Sequence, residues 1–249
     1  NLSGKNNLSL NILIVSQYFW PENFRINELS YELKRSGNNV TVLTGYPNYP
    51  NGEIYESFKQ KPEIFRNYKG IEIIRVPVIP RGKKKVQLFA NYLSFTLSAS
   101  IIGAIKLLKY KFDTVFVFQT SPVFVGIPSS IISFIKKSPQ IIWVLDLWPE
   151  TLEAIGIIKK KWQLEFIRFF VNIIYSRCNI ILTQSKSFIK KIKKYQDKKI
   201  IYFPAWAESA VKNASKKLAK EISLKKNILT LVFTGNVGEA QDFLSVLKA

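Results

Sequence analysis

The sequence predicts a doubly wound α/β fold on a mostly parallel sheet. Three observations predict it: short β-branched runs that are apolar on both faces, longer helical patterns between them, and polar or glycine-bearing turns after several of the runs. A strand apolar on both faces has to be covered on both, and a helix after each strand supplies that cover.

The elements follow in chain order. Residues 11–16 (NILIVS) read as a buried strand. Residues 22–36 read as a helix, because Ile26, Leu29 and Leu33 recur at spacings of three and four, and Gly37 is placed to end it. Residues 40–44 (VTVLT) and 71–76 (IEIIRV) are the next strands. Residues 45–68 are rich in Pro, Tyr, Asn and Gly without a period and read as one long loop, a kind of segment that is usually functional in a compact domain. Further strands are expected at 114–118 (TVFVF), 141–145 (IIWVL), 180–183 (IILT) and 200–203, mostly separated by helical stretches. After 203 the chain reads as a linker over 204–227. A strand at 228–233 (ILTLVF) and a helix opened by the glycines of 235–238 then begin a second domain.

Composition narrows the function. The 249 residues are 47% hydrophobic and 22% charged, a globular balance. The formal net charge of +20, from 37 basic and 17 acidic residues, suggests an anionic partner such as nucleic acid, acidic lipid or a phosphorylated substrate; a merely solubilising lysine surface explains it equally well. The charge is densest over 185–226, with thirteen lysines against Asp197, Glu208 and Glu221. The lysine run over 186–199 holds Phe188 and Tyr195 but no nucleic-acid motif. Cys178 is the single cysteine, so no internal disulfide is possible, as suits a reducing cytoplasm. With no histidine in the chain, a Ser-His-Asp triad, a histidine base and a histidine-ligated metal are all excluded from it. Nothing at the start resembles a signal peptide. The absence of Met and a last residue inside a strand-helix unit lead us to expect a fragment.

Residues 86–105 are uncharged over a length that could span a bilayer, with Arg81, Lys83, Lys84 and Lys85 before them and Lys106 after. Gln87, Asn91, Ser94, Thr96, Ser98 and Ser100 interrupt the run, and it sits between two strands of one sheet. A crossover helix is therefore expected, with its basic start able to face an anionic membrane.

Three turns carry candidate chemistry. The turn after the first strand holds Asn23, Arg25 and Asn27; it has no GxGxxG pattern, which argues against a nicotinamide or flavin enzyme, and Arg25 could hold a phosphate. The DLWPE turn places Asp146 at the mouth of the cleft, where it could orient or deprotonate a hydroxyl or cap a helix, and Trp148 could offer a flat face to a sugar or pack into the core. The TGNVGEAQ turn over 234–241 lets backbone N–H groups approach a phosphate at a helix start.

Together these stretches resemble the WbuB-type subgroup of family-4 glycosyltransferases, which build O-antigen and capsule polysaccharides. The resemblance runs from about Leu10 to the end. It rests on YFWPENFRINEL (18–29), VTVLTGYPNYPNG (40–52), IIRVPVIPRGK (73–83), NYLSFTLSAS (91–100), SPVFVGIP (121–128), WVLDLWPET (143–151), TQSKSFI (183–189), FPAWAE (203–208) and FTGNVGEAQDF (233–243).

The resemblance implies a GT-B fold, with an acceptor-side Rossmann-like domain over 10–203 and the start of a donor-binding domain over 228–249. It implies transfer with retention, no metal and no cofactor. The donor would be a nucleotide sugar, a UDP-sugar, with N-acetyl-L-fucosamine common in the subgroup. The acceptor would be a sugar on undecaprenyl diphosphate, at the cytoplasmic face of the inner membrane. It assigns Asp146 as the catalytic group; Asn23, Arg25, Asn27, Ser121, Trp148 and Glu150 to the acceptor cleft; Gly235, Asn236 and Gly238 to the donor diphosphate; and Arg81, Lys83, Lys84 and Lys85 to the membrane. Two departures matter. A histidine of the family's strand-two approach is replaced by Asn38 and Asn39, and the family's pair of donor-binding glutamates would fall beyond Ala249. By itself the chain is therefore expected to be inert or nearly so. The competing reading is a non-catalytic basic module that binds membrane or nucleic acid.

Overall fold

The computed structural model describes residues 8–154, 156, 158, 160–194, 196–207, 229–235, 237 and 242–248. Eight strands form one sheet in the order β3-β4-β2-β1-β5-β6-β7-β8: β1 (Asn11–Val15), β2 (Asn39–Gly45), β3 (Asn67–Tyr68), β4 (Ile71–Val76), β5 (Thr114–Gln119), β6 (Gln140–Val144), β7 (Ile180–Thr183) and β8 (Lys199–Tyr202). Every neighbouring pair is parallel except β3 with β4. The order reverses beside β1, whose two neighbours β2 and β5 lead to opposite edges of the sheet; such a point opens a crevice beyond the strand ends.

The helices divide between the two faces as the connections require. Helix α1 (Arg25–Arg35) covers one face, where Ile26 packs with Ile12, Ile14, Val40, Val42 and Trp143. Gly37 ends its turn at φ +89°, a backbone conformation that glycine adopts without strain. On the other face lie α3 (Lys85–Ser98), α5 (Gly126–Lys136) and α7 (Lys161–Ser176), whose Phe95, Ile132, Val171 and Ile174 join Leu13, Val15, Val117 and Val144. Gly126 lets α5 approach α7 closely, since a Cβ there would lie 2.2 Å from Cγ2 of Ile174.

The apolar run is a crossover between β4 and β5. From α3 it continues through a π turn (Ala99–Gly103) into α4 (Ala104–Lys106). Phe95, Ala99 and Leu107 are fully buried, and a Cβ on Gly103 would meet Leu43 of β2 at 2.9 Å. One side of this helix is thus packed on the sheet.

Two expectations change. Residues 45–68 are not a plain loop: they hold α2 (Glu56–Gln60), a 3-10 turn (Pro62–Arg66) and β3. Strand β3 returns to β4 through Lys69 and Gly70, both at positive φ, with Asn67 Oδ1 accepting from Gly70 N at 3.0 Å. That two-residue turn matches the twist of an antiparallel pair, and a strand of two residues has no readable period. Of residues 228–233, expected as a strand, 228 lies outside the described residues and 229–233 have no ladder partner among them, and a strand exists only against a neighbour. The helix expected to open at the glycines of 235–238 is described only over Phe243–Lys248, with residues 236 and 238–241 outside the described residues.

Candidate functional site

The site is built on the carboxyl ends of β5 and β6. Leu145 N donates to Gln119 O at 3.0 Å, Gln119 Nε2 donates to Asp146 O at 2.7 Å, and Tyr175 Oη reaches Gln119 Oε1 at 3.1 Å. Gln119 is fully buried, so a side-chain amide at the end of one strand fixes the backbone leaving the next. Beyond it, Ser121 Oγ donates to Asp146 Oδ2 at 2.9 Å and accepts from Trp148 Nε1 at 3.1 Å. Asp146 is only half-buried, and its Oδ1 has no hydrogen-bond partner among the described residues. A carboxylate with one oxygen pinned and the other open can accept a hydrogen bond from a ligand hydroxyl without first being reoriented.

A second network lies beyond the carboxyl ends of β1 and β2. Asn91 of α3 is fully buried. Its Oδ1 accepts from Gln17 Nε2 at 2.7 Å and Tyr18 Oη at 2.9 Å, while its Nδ2 donates to Ile79 O at 2.6 Å. Glu22 is buried where its carboxylate accepts from the N–H groups of Phe19, Asn48 and Tyr49. Burial raises its pKa to about 7, against the lowering effect of those N–H donors and of the nearby Arg75. Arg75, itself buried, donates to the carbonyls of Gly45, Phe65 and Trp20 and so holds the turn in place.

Arg81 joins the two networks. Its guanidinium lies 5.2 Å from the centre of the Tyr49 ring, its charge partly offsets the upward push that burial gives the Tyr18 phenol, and its backbone N–H donates to Asn48 Oδ1 at 3.0 Å. Burial pushes the Tyr92 phenol up, Arg81 lowers it and the charge of Asp146 raises it, so one phenol feels both charges. Tyr92 thus lies within electrostatic reach of both the fixed Asp146 carboxylate and the Arg81 guanidinium.

The expected site residues fare differently. Ser121 and Asp146 come together. Trp148 does not offer a stacking face: it is buried at 8% exposure, meets Phe124 edge-on at 5.8 Å and orients Ser121 through its N–H. Asp146 caps no helix; α6 (Glu150–Ala154) starts four residues later. Glu150 Oε1 is 4.0 Å from Arg168 of α7, and its Oε2 is buried without a partner among the described residues.

Asn27 is turned inward, accepting from Trp20 N and donating to Glu22 O, which makes it a staple of its own loop. Asn23 and Arg25 line a separate hollow of about 590 Å³ beside α1, with Trp20, Tyr31 and Lys69, where Arg25 Nη1 is buried without a partner among the described residues. Neither Ser121 nor Asp146 lines that hollow.

Lys83 and Lys84 are exposed, Lys85 begins α3 with its side chain outside the described residues, and Arg81 lies over the Tyr49 ring. Gly235 has φ +153°, while Asn236 and Gly238 lie outside the described residues. Sequence reading missed Asn91, Tyr92, Tyr49 and the cleft position of Arg81. The only available signal was the density of Tyr and Asn around 46–55 and 91–92.

Glycosyltransferases are among the solved structures to which this fold is similar. The chain is similar to Phytolacca americana UGT2 complexed with UDP-2-fluoro-glucose and pterostilbene, with a TM-score of 0.51 and 9% identity over 81% of this chain and 55% of that one. It is likewise similar to Arabidopsis thaliana UGT89C1 complexed with quercetin, with a TM-score of 0.51 and 10% identity over 80% of this chain and 52% of that one. The chain has the α/β fold of GT-B glycosyltransferases. It spans about half the length of these structures. No family model and no curated protein sequence matches it.

Proposed function

We propose that the chain is the acceptor-side part of a nucleotide-sugar glycosyltransferase of cell-surface polysaccharide synthesis. The observation that carries this reading is the pinned Asp146 carboxylate, open on one oxygen, in the neighbourhood of Arg81 at the carboxyl edge of the sheet. Asp146 accepts a hydrogen bond from the attacking sugar hydroxyl and aligns it. Ser121 and Trp148 hold that carboxylate in place. Arg81 neutralises a phosphate of a diphosphate-linked acceptor, a task suited to a permanently charged planar group.

The finer reading follows the family resemblance. The donor is a UDP-sugar, N-acetyl-L-fucosamine being the specific proposal, and its diphosphate is received at Gly235, Asn236 and Gly238. The acceptor is a sugar on undecaprenyl diphosphate, and the anomeric configuration is retained without a metal. The exposed Lys83 and Lys84 face an anionic membrane at the cytoplasmic side. The chain by itself binds acceptor and transfers little or no sugar.

Titrating the 249-residue chain with a sugar linked to a short polyprenyl diphosphate tests this directly. Saturable binding weakened roughly tenfold or more by Arg81→Ala, and by Asp146→Asn, supports it. Binding that is absent, or indifferent to both substitutions, overturns it.

A further inference from the structure

Helices α3, α5 and α7 bury one side on the sheet, yet their outer sides are apolar as well. Along α3 and its continuation, Val86, Phe89, Leu93, Leu97, Ile101 and Ile105 are exposed at spacings of three and four, one unbroken stripe. Ile131, Phe134 and Ile135 form a second stripe on α5; Trp162, Phe166, Phe169 and Ile173 form a third on α7. Val86, Phe134 and Trp162 are 79%, 78% and 66% exposed. A helix covering a sheet in water normally turns a polar side outward, so three apolar outer sides on one face mark a contact surface. Between α3 and α7 the face is creased by a groove of about 230 Å³ lined by Phe89, Leu93, Phe166 and Phe170, among others.

The charges around this face say what covers it. Lys83, Lys84, Lys160 and Lys161 stand exposed where the helices begin, and Lys109 and Lys137 where they end. No acidic residue lies on α3 through α4 or on α5, and the single one on α7, Glu165, is paired with Arg168. A second copy packed about a two-fold axis would set lysine rims against lysine rims. An anionic bilayer meets both requirements, taking aromatic and aliphatic side chains into its acyl boundary while its phosphates meet the lysines.

We infer that this three-helix face docks flat on an anionic membrane and inserts Phe89, Phe134, Trp162 and Phe166 below the headgroups. The inference deepens the membrane part of the proposed function by moving the contact from a basic collar to an inserted apolar face, and it stands whether or not the chain binds a sugar acceptor. Sheet and cleft then lie over the membrane with the helix axes along it.

The test is co-sedimentation of the chain with vesicles of phosphatidylethanolamine and phosphatidylglycerol, at low and at high salt, against vesicles of phosphatidylcholine alone. Binding to the anionic vesicles is expected to persist in part at high salt, and the triple variant F89E/F134E/W162E to weaken it by about tenfold or more. The substituted side chains are all exposed, and unchanged protection of the buried Cys178 thiol, on the same side of the sheet, shows that the variant is folded. Binding abolished by salt alone, or undiminished in the triple variant, overturns insertion and leaves only charge attraction. A self-associated chain that the triple variant makes monomeric, without binding vesicles, overturns it in favour of a protein partner. Vesicle binding without acceptor binding would refute the transferase reading and leave the docking face intact.

Discussion

The hydroxyl of Ser121 donates to Oδ2 of Asp146 at 2.9 Å, joining residues 25 apart in the chain across the ends of two adjacent strands. Trp148 completes the arrangement from two residues beyond Asp146, its indole N–H held on the same hydroxyl oxygen. Removing that oxygen frees the carboxylate and also leaves a buried indole N–H unmatched. Ser121→Ala is expected to weaken acceptor binding about five- to tenfold, with Ser121→Thr much closer to the native chain. Equal affinities for the two variants, measured by titration, would show that the hydroxyl does no orienting.

Glu22 predicts a pH dependence of stability. Its folded-state pKa of about 7 lies above the usual value of 4.5, so the folded chain holds a proton that the unfolded chain releases. The stability from this group is fully present below about pH 4.5 and is lost as pH rises through 7, a difference of ~3 kcal/mol at most. Glu22→Gln should flatten the slope of melting temperature against pH between about 5 and 8. A slope unchanged in the variant would assign the dependence to other groups.

Gly126 and Ile174 predict a coupled pair. A methyl at Gly126 would lie 2.2 Å from the branched Cγ2 of Ile174, which has no free rotation to escape. Gly126→Ala should therefore destabilise by about 1–3 kcal/mol, and Ile174→Ala in the same chain should recover part of that loss. Denaturant titrations of the single and double variants measure the coupling, and strictly additive effects would refute the contact.

Cys178 should be chemically silent in the folded chain. Burial pushes its thiol up to about 12, against the lowering effects of Lys198 and of a hydrogen bond from Gln140. A thiol-reactive dye should label nothing in native buffer within minutes and one thiol after denaturation. Rapid native labelling would mean that the region around the α7 C-terminus opens readily.

Much of the parallel sheet was legible because buried strands such as 114–118 and 141–145 need no pairing information to be apolar on both faces. Strand β3 was not legible: two residues carry no period, and its place depends on the Lys69–Gly70 turn finding β4. Asp146 was legible as the first polar residue after an apolar run. The role of Trp148 was not, because an indole beside a turn can face a ligand or the core equally well until its neighbours are known. Asn27 reads as a ligand-facing amide in the sequence, and its two hydrogen bonds turn it into a loop staple.

The sequence by itself determined the strand-helix alternation, the absence of histidine chemistry and the positions of the turns that end β5 and β6, since these follow from local pattern and composition. The tertiary structure alone decided that Arg81 shares a neighbourhood with Asp146 through Tyr92, and that three apolar helix faces lie side by side on one face of the sheet. Both depend on which strands are neighbours, and strand order is set by long-range pairing that leaves no trace in any single stretch of chain.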